Sequence, residues 1–309
     1  MLKKFQFLIL LIYLLNAPAL SNENIYIYVS VNDEIITNYD IEKEKEYLKI
    51  LNPNLNQLDE KKVFDISKNS LIKKKIKKNE IEKKFNIKKT IIIVDQVFED
   101  FYKKLGIDNE NDFKNLLLTK KTYSNNEVKE KLKLEVFWNE LIFVNYKNQL
   151  KINEEALLKK INNKNNKTKN EYLLSEIFFK KKKDQNLEDQ LNKINNSIKE
   201  IGFNNTANIY SISESAKFGG KLDWINENNL SKIIFDELKK TNVGKHTKVI
   251  QVGNNFLILK LDNKRSKEVK FNKEKQLKQM INFERNKQLN QFSNIYFNKV
   301  KMNYYINEK

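Results

Sequence analysis

The feature that most limits what this chain can fold into is its shortage of helix breakers. Its 309 residues hold two prolines, Pro18 and Pro53, and six glycines. Five of the six, Gly202, Gly219, Gly220, Gly244 and Gly253, fall in one stretch. Proline removes a backbone donor and glycine frees the backbone, so both punctuate regular structure. Outside that stretch almost nothing interrupts a helix, and inside it turns are concentrated. Long helical segments flanking one turn-rich module are the expected outcome.

Hydrophobic spacing fills in this outline. Ile25–Val31 and Glu34–Thr37 are β-rich runs joined by Asn32-Asp33, a two-residue hairpin signal. Asp40 opens a helical stretch to Leu51, which Pro53 ends. Val63, Ile66, Leu71, Ile72 and Ile76 form an apolar stripe at helical spacing, and the pattern continues over Ile91–Leu105 and Asp112–Leu118, with Gly106 as a C-cap. Ser124 and Glu127 make a capping box ahead of Val128–Tyr146, and Glu154–Ile161 is one more helix. The apolar-free tract 162–170 reads as a linker. Beyond it come a strand at Tyr172–Phe179, helices at Leu187–Ile201 and Leu230–Lys240, and a strand at Asn255–Leu261. The helical pattern returns after Arg265 through Met302. Its stripe, from Leu277 to Phe297, needs a surface to bury it, and the N-terminal helices are the available one.

Composition removes most enzyme chemistry. Cysteine is absent, which excludes disulfides, thiolate nucleophiles and Cys-ligated metals. A single histidine, His246, excludes a multi-His zinc site, and no metal or cofactor is expected. The net charge is +18, but Arg265 and Arg285 are the only arginines among 58 basic residues. Nucleic-acid binders lean on arginine for bidentate contacts, so a solvated lysine surface is expected and no nucleic-acid partner. Runs such as Lys73-Lys74-Lys75 and 180–183 read as solvated faces.

The first residues carry an address. Lys3 and Lys4 precede the apolar run Phe5–Leu15, then Asn16-Ala17-Pro18-Ala19-Leu20-Ser21. A basic start, a short apolar core and small residues describe a secretory signal peptide, with cleavage after Ala19 or Ser21. The run is shorter than the ~20 apolar residues a membrane span needs. No later segment is apolar enough to span, so no stable membrane insertion is expected after cleavage. Export without cysteine points to the periplasm of a Gram-negative bacterium.

Two stretches carry a family resemblance. Ser215-Ala216-Lys217-Phe218-Gly219-Gly220-Lys221-Leu222-Asp223-Trp224 resembles the S-A-x-x-G-G-D-L-G-W turn of parvulin-type (PpiC, rotamase) peptidyl-prolyl isomerases. Leu174-Ser175-Glu176-Ile177-Phe178 resembles their opening S-H-I-L strand, and Phe256-Leu257-Ile258-Leu259-Lys260 their closing H-L-I-K strand. Gly244 sits where parvulins have the glycine after their second active-site helix. At the other end, Val31-Asn32-Asp33-Glu34-Ile35-Ile36-Thr37-Asn38-Tyr39-Asp40-Ile41 looks like the V-N-D-E-V-I-T-x-x-D-I start of the SurA family. SurA proteins are periplasmic chaperones for outer-membrane proteins, with a helical domain split around parvulin modules. The resemblance implies an α+β chain: a mainly helical SurA-like N-terminal domain (22–161, after the signal at 1–21), a linker (162–170), one inserted α/β parvulin-like domain (171–265), and a C-terminal helix (266–309) that completes the N-terminal domain.

The resemblance also assigns a site. The first parvulin histidine corresponds to Glu176, the second to Phe256 or Leu257, and the Cys/Asp position to Ser213. The pocket methionine matches Leu230, and the pocket phenylalanine Ile234 or Phe235. Gly219, Gly220 and Trp224 are expected to build the fold, with Leu222 and Trp224 alternating inward. His246 falls in a turn where parvulins carry no catalytic residue. With both histidines replaced, the preorganised polar core that would lower the ~18–20 kcal/mol peptide-bond barrier is degraded. Two functions follow: a chaperone binding unfolded outer-membrane proteins with weak or absent catalysis, or an active isomerase of exported proteins. Phe98, Phe101, Tyr102, Phe113, Phe137, Trp138, Phe143 and Tyr146 are candidates for an apolar client surface, although the same spacing builds a helix-bundle core. Oligomeric state is left open.

Overall fold

Thr37 closes the first hairpin and starts the first helix. Strands β1 (Ile27–Val31) and β2 (Glu34–Thr37) pair antiparallel across a turn in which Asn32 takes φ +50°. The Thr37 hydroxyl accepts from the Asp40 amide at 3.1 Å, and the Asp40 carboxylate accepts from the Thr37 amide at 2.8 Å. This capping box begins α1 (Asn38–Leu51) two residues before the expected Asp40, which lies in the first turn instead. The computed structural model describes residues 25–87, 93–162, 168–182, 185–268 and 273–308. The signal peptide, the expected helix start at Ile91 and positions 163–167 of the expected linker lie outside them.

Five more helices complete the N-terminal region: α2 (Glu60–Glu82), α3 (Ile93–Lys104), α4 (Glu110–Thr119), α5 (Asn125–Tyr146) and α6 (Glu154–Asn162). The Ser124–Glu127 capping box opens α5 as expected. Leu48, Leu55, Val63, Phe98, Phe113, Leu117 and Val128 bury together as one core. Phe98, Tyr102, Phe113 and Trp138 are therefore unavailable to a client; of the aromatic candidates only Phe143 is exposed.

The glycine-rich module follows as β3 (Thr168–Lys180), α7 (Leu187–Ile201), α8 (Phe203–Tyr210), β4 (Lys221–Asn226), α9 (Lys232–Lys239), β5 (Ile250–Val252) and β6 (Asn255–Glu268). Its four strands form an antiparallel sheet in the order β4-β3-β6-β5. Alternation along β3 splits the core in two. Ile177 and Phe179 face α7 and α8 with Ile194, Phe203 and Ile258, while Tyr172 and Leu174 face α9 with Leu238, Leu257 and Leu259. Strand β3 begins at Thr168, inside the tract expected as a linker, because residues 168–170 pair with 266–268 of β6.

A bulge corrects one expectation. Four residues of β4 (Lys221 to Trp224) lie opposite three of β3 (Ser175 to Leu173), so the inward alternation breaks. Leu222 and Ile225 join the α9-side core, and Trp224 turns away to stack on Arg265, whose guanidinium carbon lies 4.0 Å from the ring centroid.

The chain then returns to its beginning. Helix α10 (Lys273–Lys301) lays Leu289, Phe292, Tyr296 and Phe297 against Ile81, Trp138, Leu141 and Ile142. Strand β7 (Ile306–Glu308) pairs antiparallel with β1, completing a three-stranded sheet β2-β1-β7. The helical unit is thus built from both sides of the inserted module. No helix among the described residues is long and apolar enough to cross a membrane.

Candidate functional site

The turn before β4 is shaped by what a side chain cannot do there. Gly219 and Gly220 take φ +70° and +76°, a region costly for residues with a Cβ. A Cβ on Gly220 would lie 2.2 Å from the carbonyl oxygen of Glu176, and one on Gly219 2.9 Å from the Cβ of Asn204. This close approach lets the Gly220 carbonyl accept the Glu176 amide at 2.8 Å. The glycines therefore fix the backbone of Glu176.

Around Glu176 the turn closes a small polar centre. Ser213 donates its hydroxyl to Glu176 Oε1 at 2.5 Å, and Ser215 donates to the same oxygen at 2.9 Å. The two hydroxyl oxygens are 3.1 Å apart. Burial pushes the Glu176 carboxyl above its usual range, against the two serine hydrogen bonds that hold it down. The result is a carboxyl that takes up a proton more readily than an ordinary glutamate, in contact with two hydroxyls. Ser215 belongs to the parvulin-like turn motif, but the motif assigns it no contact. The Ser-x-Ser spacing across a tight turn is the signal that could have found it.

The other assigned residues divide by face. Leu257 is buried on the α9 side, the face to which alternation assigns Glu176 with Leu174 and Phe178. Phe256 points to the opposite face, 5.7 Å between centroids from Phe179. Of the two alternatives for the second histidine, only Leu257 shares the side of Glu176. Leu230, Ile234 and Phe235 are half-buried against the same α9-side core. His246 lies elsewhere: its exposed ring sits near Phe203, with centroids 6.2 Å apart, on the α7–α8 side.

Immediately after Ser213 the turn leaves the module and enters the helical unit. Glu214 accepts from Lys73 at 2.8 Å and from Lys77 at 3.2 Å, both on α2. Lys77 also meets Glu135 of α5 at 2.8 Å, and Lys217 approaches Glu135 at 3.8 Å. Burial would raise both carboxyls, but the lysines outweigh it: Glu214 is held well below its usual range by Lys73, Lys77 and Lys217, and Glu135 below it by Lys77 and Lys217. Neutral contacts lie beside this network, with Asn52 Nδ2 donating to Asn208 Oδ1 at 2.5 Å and Asn205 Nδ2 to the Asn54 carbonyl at 3.2 Å. The lysine run at 73–75 is therefore not the uniform solvated face expected. Helical spacing puts Lys73 and Lys77 one above the other toward the module, whereas Lys75 turns the other way to Glu34 at 2.7 Å.

Between the helical unit and the turn lies a cleft of about 780 Å³. Leu48, Leu51, Ile66, Phe101 and Leu132 line it from the helices, and Ser213, Glu214 and Ala216 from the turn. Ser213 thus bonds Glu176 and borders the cleft. Leu230, Ile234, Phe235 and Leu257 are not among its walls.

Residues 154–263 match the Rotamase family, described as the PPIC-type PPIASE domain. The chain carries a PPIC-type PPIase domain. No curated protein matches the sequence. Among solved structures, a SurA-like chaperone of Campylobacter jejuni is similar at 18% identity, over 92% of this chain and 98% of the other, with a TM-score of 0.35. The peptidylprolyl isomerase PrsA of Bacillus cereus is similar at 20% identity, over 91% and 90%, with a TM-score of 0.28. A PpiC-type peptidyl-prolyl cis-trans isomerase domain is 27% identical over 31% of this chain and 92% of its own, with a TM-score of 0.28. Glu176, Ser213, Phe256 and Leu257 all lie within the matched residues.

Proposed function

We propose that this protein is an exported chaperone that holds unfolded outer-membrane proteins in a Gram-negative periplasm, with a PPIase domain that serves chiefly as a binding wall. The observation that carries this reading is the pairing of Glu176 with two serines, on the same face of the sheet as a buried Leu257, at positions that the parvulin resemblance gives to histidines. Amide rotation is accelerated by groups preorganised around the twisting bond. An apolar Leu257 offers no hydrogen bond to it, and Ser213 is already committed to Glu176. The fold is retained while its reaction is diminished, as fold and function are separable. The cleft beside the turn, lined by apolar and charged side chains together, suits an extended chain better than a folded one.

A second reading has one observation in its favour. Glu176, Ser213 and Ser215 form a connected polar centre at the place of the parvulin core, so isomerase activity on exported proteins is the alternative. Two assays on the mature protein separate the readings: suppression of aggregation of an unfolded outer-membrane protein, and proline isomerisation of a short peptide. Aggregation suppression without isomerisation supports the chaperone; isomerisation at ordinary parvulin rates, lost in Glu176→Ala or Ser213→Ala, supports the enzyme. For export, the mature N-terminus is expected at Leu20 or Asn22. Periplasmic protein that began at Met1 would overturn the soluble-periplasmic assignment.

A further inference from the structure

One wall of the cleft carries an ammonium group that makes no direct hydrogen bond or ion pair with a carboxylate among the described residues. Glu44 of α1 lines the cleft with Lys74 of α2 and Lys131 of α5. Its carboxylate is engaged at both oxygens: it accepts from the Ser70 hydroxyl at 2.6 Å, from the Tyr123 hydroxyl at 2.8 Å, and from Lys131. Lys74 has no hydrogen-bond or ion-pair partner among the described residues. Its Nζ lies 5.9 Å from the centroid of the Tyr123 ring, and Lys131 occupies that same ring at 4.2 Å. Two ammonium groups thus act on one carboxylate, and three, with Lys43 at 4.9 Å, lie over the Tyr123 ring. Burial, reinforced by the neighbouring Lys131, lowers the Lys74 pKa to about 8. The other carboxylate that acts on Lys74, Glu127, is taken by Lys43 at 2.7 Å and by its own capping box.

We propose that the cleft seats one carboxylate of an extended, otherwise apolar polypeptide segment on Lys74. The apolar side chains of the lining cover those of the segment, and its carboxylate gives Lys74 a direct ion-pair partner. The volume is in the range of a pocket for a few residues rather than for a folded partner. The carboxylate comes either from an Asp or Glu side chain or from the client's C-terminus. This inference rests on the chaperone reading and specifies the chemistry that such a client presents.

The test uses the full mature chain and fluorescein-labelled apolar octapeptides of one sequence in three forms: a free C-terminus, a C-terminal amide, and an amide with one internal Glu. Fluorescence anisotropy should show the carboxylate-bearing forms binding about tenfold tighter than the plain amide, the size of one charge-assisted hydrogen bond. A gain in the free-acid form alone assigns the chain terminus, and a gain in the Glu form alone assigns a side chain. Lys74→Met should abolish the difference, Lys74→Arg should keep it, and Lys240→Met, remote on the module surface, should not change it. Equal affinities in the parent, or an undiminished difference in Lys74→Met, would overturn the proposal. If the parent then still suppresses aggregation, only the carboxylate seat falls. If it neither binds peptide nor suppresses aggregation, the chaperone reading falls with it.

Discussion

Trp138 of α5 donates its indole N–H to the hydroxyl of Ser293 on α10 at 2.8 Å, across 155 residues of sequence and in the buried centre of the helical unit. This bond crosses the whole inserted PPIase domain. It ties the last helix to the first group of helices more specifically than apolar contact alone could.

Trp138→Phe keeps most of the ring packing and leaves the buried Ser293 hydroxyl without its donor. A loss of roughly 1–3 kcal/mol in urea unfolding is expected. The double substitution with Ser293→Ala should cost less than the sum of the two singles, because both remove the same bond.

Deleting residues 273–308 removes α10 and β7 together. Each large side chain of the α10 stripe contributes roughly 1.5–3 kcal/mol when buried, against ~5–15 kcal/mol for a whole domain. Hydrogen exchange should then show the helices of the N-terminal region losing protection while β3 and β6 keep theirs. Protection lost only in the PPIase domain would contradict the split arrangement.

Lys77→Met leaves Glu135 and Glu214 short of their shared cation. Breaking a fully buried pair costs ~3–5 kcal/mol. Both carboxylates keep about a third of their side-chain surface in water, so a loss on the order of 2 kcal/mol is expected. Hydrogen exchange at the turn 214–218 should accelerate, since Lys77 joins the turn to α2 and α5.

The raised pKa of Glu176 has a defined sign. A carboxyl whose folded pKa lies above its unfolded value binds more protons when folded, so it favours the fold at low pH. That contribution is lost as pH rises from the ordinary glutamate range through the folded value. Glu176→Gln keeps an acceptor for Ser213 without the charge. Its unfolding midpoint should exceed the parent's at pH 7, with the gain shrinking toward pH 4. A gain that instead grew on acidification would contradict the buried-carboxyl assignment.

Gly220→Ala and Gly106→Ala separate crowding from backbone strain. Gly106 follows α3 at φ +80°, and no atom lies within 4 Å of the place a methyl group would take there, so its cost should be the ~1–2 kcal/mol of the left-handed region. Gly220 adds a 2.2 Å clash with the Glu176 carbonyl, and its substitution should cost more than about 3 kcal/mol in thermal unfolding.

What could be read from the sequence depended on whether the decisive partner was near in the chain. The α5 capping box is complete within four residues, Ser124 to Glu127, and the apolar stripe of α10 announces a buried face wherever its partner lies. Helix α8 was not legible: its sequence, Phe203 to Tyr210, holds three asparagines and a threonine, and its stability comes from Phe203 and Ala207 packing beneath β3. The bulge that turns Trp224 outward belongs to a strand pair and leaves no trace in β4 alone. In the site, the parvulin motif singled out Glu176 and Ser213, which the fold joins by a hydrogen bond, and it left Phe256 and Leu257 as alternatives, which lie on opposite faces of β6. The roles of Lys73, Lys74 and Lys77 depended on which side of α2 meets the PPIase domain, and charge runs do not encode that.

Strand β7 sets a timetable. The Tyr305 amide donates to the Asn32 side chain at 2.9 Å over a separation of 273 residues, and β1 has β7 as its second neighbour in the sheet. Contacts so distant in sequence form late, because the intervening loop must close before they return any energy. The inserted PPIase domain closes on contacts of its own, with β3 and β6 pairing along their length, so it can fold while the N-terminal helices still wait for α10. A chain threading outward from its N-terminus would therefore hold its first helices unfinished, with the Trp138 face uncovered, until residue 308 had emerged. During that interval this protein would itself be an unfolded polypeptide with an exposed aromatic face.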